Sequence, residues 1–248
     1  MNTFWLGALF FIVFFLVLIF FIILGNRRSL GALRPIAAFN RLRRSIGLSV
    51  EDGTRVHFSI GRGAITGPES APALVGLSVL NRITRTTSIG DRPPVATAGD
   101  GALAILLDDN MRGAYREIGE ESQYDSLSAR VSGLTPFSYT AGMMSIVKDE
   151  QVSVNIALGS FGPEIGLLTE AAERRGAITL AGTDNITGQA VLYATTQEAL
   201  LGEEVYAGGA YLQTSSAHLA SLRAQDVMRW VLTIAILAGA LAKMAGLL

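Results

Sequence analysis

Residues 4–24 read FWLGALFFIVFFLVLIFFIIL, 21 positions without a charged side chain. At 1.5 Å per residue such a helix covers a hydrocarbon core of about 30 Å. A buried core helix of this length would carry polar residues on some face. A secretory h-region is shorter and follows a basic stretch, which Met1–Thr3 lacks. The segment predicts a transmembrane helix over residues 1–25, so whatever follows is tied to a bilayer.

Directly beyond it, Arg27, Arg28, Arg34, Arg41, Arg43 and Arg44 crowd a basic juxtamembrane segment, residues 26–50. The positive-inside rule keeps such a flank in the cytoplasm and sends the N-terminus out. Residues 36–48 have amphipathic spacing, with Ile36, Phe39, Leu42, Ile46 and Leu48 set against Arg41, Arg43 and Arg44. That suits either a headgroup surface or a first domain helix. At the other end, residues 230–248 read WVLTIAILAGALAKMAGLL and predict a second transmembrane helix after a connecting helix over 213–229. Arg223 and Arg229 lie on the domain side, and Lys243 stands where its stem can snorkel to the far headgroups. Trp5, Arg27, Arg28, Arg229 and Trp230 are the expected membrane-interface residues.

The stretch between the ends, 51–212, alternates strand and helix patterns. Strands are expected at 55–60, 93–98, 129–134, 152–158 and 177–182. Helices are expected at 73–85, 101–118, 136–147 and 163–175. Each helix shows apolar positions three and four apart, and the strand at 152–158 alternates Val152, Val154, Ile156 and Leu158. Residues 187–193 and 197–211 complete the domain, the latter leading into the long helix of the second span. Runs of small and β-branched residues separated by helices indicate a mainly parallel sheet covered on both faces. The expected fold is α/β, a Rossmann-like three-layer domain flanked by N- and C-terminal transmembrane helices.

Composition removes several functions. The net charge is −1, which provides no field for nucleic acid, and aromatics are 8% of the chain without a basic patch among them. There is no cysteine, so disulfides, thiolate metal sites and cysteine nucleophiles are excluded. His57 and His218 stand far apart and do not make a zinc site. Asp108, Asp109, Glu117, Glu120, Glu121 and Asp125 match no calcium loop and read as a solvated helix face. No nucleophile elbow or Walker loop occurs, and no cofactor is expected.

Gly61, Gly63 and Gly67 miss the dinucleotide fingerprint by one position, with Thr66 where a close-packing Gly or Ala belongs. In an open parallel sheet the carboxyl-end loops gather along one edge. Arg62, Asp100, Ser160, Thr183 and Asp184 therefore form a speculative ligand-binding set. Glu164 already occupies the positive end of its helix and disfavours phosphate there.

Three stretches, LGALRPIAAF (30–39), NIALGSFGPE (155–164) and LLGEEVYAGGAYL (200–212), resemble a family of prokaryotic membrane proteins known only as a domain of unknown function. The resemblance implies the same membrane-tethered architecture and transfers no catalytic residue. The expected setting is a prokaryotic inner membrane, with two spans, a cytoplasmic domain and both termini outside. Low charge (17% of residues), two anchors and small-residue faces favour a structural or assembly role. The expected partners are the lipid bilayer and either further copies of the chain or other membrane-complex subunits. The alternatives are a sensor of a small anionic ligand at the carboxyl edge, and a membrane-bound enzyme.

Overall fold

A computed structural model describes residues 3–25, 36–67, 69–212 and 216–245. The chain divides into two compact units, Met1–Pro35 with Gln213–Leu248, and Ile36–Leu212. Arg27, Arg28 and Arg34 lie outside the described residues.

The first unit opens with α1 (Thr3–Gly25), a 23-residue helix whose apolar side chains, Phe11, Leu16 and Ile23 among them, are exposed. The second unit begins with α2 (Ala37–Glu51), which buries Phe39, Leu42 and Ile46 of the apolar stripe read from sequence, while Ile36 precedes the helix and Leu48 is exposed. Then follow β1 (Arg55–Gly61), α3 (Ser70–Thr87), β2 (Val95–Ala98), α4 (Gly101–Glu117), β3 (Ala129–Val131), α5 (Pro136–Asp149), β4 (Val152–Ser160), α6 (Ile165–Arg174), β5 (Ile178–Thr183), α7 (Ile186–Thr195), β6 (Glu198–Leu200) and α8 (Glu204–Tyr211). Local chemistry sets several of these starts. Asp100 caps α4 by accepting from the N–H groups of Ala102 and Leu103. Thr135 and Ser138 form a capping box on α5, with Pro136 in its first turn. Asn185 caps α7 through the N–H of Gly188.

All six strands are parallel, in the order β3-β2-β1-β4-β5-β6. On one face α2, α3, α4 and α8 build a core around Phe39, Leu42, Phe58, Ile60, Leu80, Leu103 and Ile156. On the other, α5, α6 and α7 build a second core around Tyr139, Met143, Phe161, Ile165, Leu168 and Leu192. The winding reverses at β1 and β4, because α5 carries the chain across the sheet. This is the Rossmann-like, doubly wound architecture.

β6 is a sixth strand where the sequence pattern indicated only the approach to a long helix. Three residues are too few to display alternation, and the buried Glu198 masks the site by polarity. Its carboxylate is held by Arg41 of α2 in an ion pair.

The first unit closes with α9 (Ser216–Met244), one unbroken helix of 29 residues across the expected boundary between connector and span. Ala220, Ala224 and Met228 are buried, whereas Trp230, Ile234, Ile236, Leu237 and Leu241 are exposed. α9 is long and apolar enough to cross a membrane by length and composition, while the apolar stretch Gly7–Ile23 of α1 is shorter. The two helices lie against each other.

The seam between β1 and β4 is unusually tight. A Cβ on Gly159 would overlap the Ile60 carbonyl oxygen, and one on Gly61, at φ 78°, would overlap that of Ser160. Replacing Gly159 by Ala is expected to cost about 3 kcal/mol by forcing the two backbones apart. Gly113→Ala in α4, where nothing lies within 4 Å of the new Cβ, is expected to stabilise by about 0.5–1 kcal/mol. Urea denaturation of the detergent-solubilised chain, followed by circular dichroism, compares the two.

Candidate functional site

The loops that follow β1, β2, β4 and β5 meet along the carboxyl edge of the sheet. All five candidate ligand residues stand there. The Arg62 N–H donates to the Ser160 carbonyl at 3.1 Å, which extends the β1–β4 pairing past the strand ends. The Arg62 stem packs over Gly99, and its guanidinium donates to the Leu134 carbonyl at 3.0 Å. Asp100 is committed to the α4 cap, with its carboxylate 2.9 Å from the Ala102 nitrogen. The Thr183 hydroxyl accepts from the Phe161 N–H at 2.9 Å and closes the β4 loop onto β5. Ser160 and Asp184 stay half-buried at the rim. The Glu164 carboxylate accepts from the Gly162 N–H at 3.0 Å, as a group seated at a helix start should. Eight residues separate the end of β1 from α3, so the glycines of this loop do not lead straight into a helix N-terminus as a phosphate loop requires.

Beneath this edge lies a polar row that sequence reasoning did not find. Val56, Phe58 and Ile60 point into the first core, so His57 and Ser59 face α5. Register places His57 beside Val95 and Asn155, and Ser59 beside Thr97 and Ala157. His57, Ser59, Thr97, Asn155 and Tyr139 are all buried. Nδ1 of His57 stands 2.8 Å from Oδ1 of Asn155, and Nε2 stands 3.0 Å from the Thr97 hydroxyl. An amide oxygen only accepts, so Nδ1 carries the proton and Nε2 accepts from Thr97. The Tyr139 hydroxyl donates to the Thr97 carbonyl at 3.1 Å and accepts from Ser59 at 2.5 Å. Nδ2 of Asn155 and the hydroxyl of Thr179, on adjoining strands, are buried without a hydrogen-bond partner.

Burial controls the protonation of this row. Removal from water holds His57 down to about 4, against the smaller opposing effect of the Asn155 hydrogen bond. The same desolvation pushes the Tyr139 phenol up to about 12. Both groups are neutral near pH 7, and neither is open to a substrate.

At the opposite edge Glu150 receives both Arg55 and Arg130 and ties the β1, β3 and β4 segments together. Three acidic residues of the α4 region are similarly engaged: Asp108 with Arg112 and Tyr124, Glu117 with Arg85, and Glu121 with Arg116. Among the described residues no group of three or more His, Asp or Glu side chains is placed to hold a metal ion.

Fold and site together define a Rossmann-like α/β domain, carried on a chain with apolar terminal helices, whose carboxyl edge is bonded to itself. The chain belongs to a family described as a domain of unknown function (DUF6754), whose model matches residues 1–247. No curated protein and no solved structure matches it.

The buried imidazole sets a pH dependence. Its folded pKa lies below the unfolded value of 6.5, so its stabilising contribution is complete above pH 6.5. That contribution drains away as the pH falls towards 4, for a total of roughly 3 kcal/mol. Denaturation midpoints measured from pH 7 to pH 4 should fall more steeply for the wild type than for His57→Gln, which has no imidazole to charge.

Proposed function

We propose that this protein is a membrane-anchored, non-catalytic structural or assembly protein. In this reading α1 and α9 both span a prokaryotic inner membrane, the Rossmann-like domain is cytoplasmic, and the termini lie outside. The support is the apolar surface of both helices and the arginine-rich flank at 27–44. Trp5 is 66% exposed and Trp230 is 69% exposed, which suits rings seated at the headgroup level. Arg229 stands beside Trp230 and near Asp226, at 3.7 Å.

The observation that carries the assembly reading is the apolar surface around β3, an edge strand of the sheet. Leu127 is 69% exposed, Leu134 is 68% exposed and Phe137 is 70% exposed, with Val131 at 46% between them. Four large apolar residues exposed along eleven positions of an open sheet edge favour burial against another chain. A second copy of this chain is the partner proposed, since one surface pairing with itself about a two-fold axis closes without further components. An accessory place in a larger membrane complex uses the same surface.

The anionic-ligand alternative has less support. Arg62, the cation of the carboxyl edge, already serves Leu134, and the β1–β4 backbones close on each other at the winding reversal. A membrane-bound enzyme would need convergent free polar groups, and the polar row is sealed beneath α5.

Size-exclusion chromatography with light scattering on the full chain in mild detergent tests the reading. A discrete oligomer is expected. The double substitution Leu134→Asp and Phe137→Asp should convert it to monomer at equal concentration, each losing about 2 kcal/mol of apolar burial. A monomeric wild type would contradict self-association, and co-purification of other subunits would redirect the surface to them.

A further inference from the structure

A groove of about 550 Å³ runs between α5 and α6. Its apolar floor is Ala141, Met144 and Ala171. Its cationic rim is Lys148, Arg174 and Arg175, and no acidic side chain lines it. Most domain arginines are engaged: Arg41, Arg55, Arg85, Arg112, Arg116 and Arg130 each hold a carboxylate. Arg174 is likewise held by Glu170. Lys148, one of the chain's two lysines, and Arg175 have no ion-pair partner among the described residues.

We propose that this groove binds the anionic headgroup of a membrane phospholipid, with Lys148 and Arg175 on the phosphate and Met144 beneath its glycerol and upper acyl portion. The volume fits a small-molecule site. An apolar floor below two free cations matches an amphiphile with one charged end. A guanidinium offers a planar fork to phosphate, and an ammonium adds a mobile point charge. The competing role of these side chains is purely local. Both lie at helix C-termini, where a cation complements the carbonyl end, and that role operates whatever the lipid. The inference rests on the proposed membrane tether, which supplies lipid at high local concentration.

The test uses the full chain in nanodiscs of phosphatidylcholine alone or mixed with phosphatidylglycerol, with the melting temperature as readout. Incorporation into the discs reports on the tether itself, so a chain that incorporates without lipid preference overturns only the groove. The expected result is a melting temperature about 3 °C higher with phosphatidylglycerol, since a ligand of the native state stabilises it. The pair Lys148→Gln and Arg175→Gln should lose that rise, and Lys148→Arg with Arg175→Lys should keep it. An equal rise in the Gln variant would overturn the proposal by assigning the effect to the basic flank of the spans. A rise reproduced by inorganic phosphate in phosphatidylcholine discs would also overturn it, as a free anion would then be the ligand. No rise in the wild type would do the same.

Discussion

The backbones of β1 and β4 touch at Gly61 and Gly159, and the arrangement of the whole carboxyl edge follows from that contact. These are the two central strands, where the winding reverses and where folds of this architecture leave a crevice for ligands. Here the approach is so close that neither glycine accepts a Cβ. The Arg62 amide then reaches Ser160, the Gly99 amide reaches the Gly61 carbonyl at 2.9 Å, and the Arg62 stem settles over Gly99. The first two of these contacts use amide and carbonyl groups that an open crevice would offer to a ligand.

Directly below the seam, the row from Asn155 through His57 to Thr97 ties β4, β1 and β2 together, and Tyr139 fastens α5 onto it. Buried polar groups are favourable only where they are bonded. This row specifies register: a slip of one residue in β1 would turn His57 and Ser59 into the apolar core and Phe58 onto Asn155. The seam and the row act together, one by steric fit and the other by hydrogen-bond pairing. A domain whose carboxyl edge is bonded to itself has its free surface elsewhere, on the exposed apolar residues around β3 and on the cationic groove between α5 and α6.

Much of this architecture was legible in the residues. The helix starts at Asp100, Thr135-Pro136 and the Gly-Ser-Phe-Gly-Pro-Glu turn carry their own local chemistry, and the alternation of strand and helix patterns implied the parallel sheet. β6 was not legible, because three residues carry no periodicity and Glu198 looks like surface until Arg41 covers it. The polar row was invisible for a different reason. His57 lies 40 residues from Thr97 and 98 from Asn155, and only strand order makes them neighbours. Arg62 was placed on the correct edge by its position after β1. That its guanidinium belongs to Leu134 depends on where β3 ends, which spacing does not reveal.

Amide hydrogen exchange on the full detergent-solubilised chain tests the closed seam most directly. The account predicts that the amides of Arg62, Gly99 and Phe161 exchange as slowly as those in the centre of β4, because each is bonded within the edge. Exchange of these three at the rate of exposed loops, with β4 still protected, would show an open crevice and contradict the account.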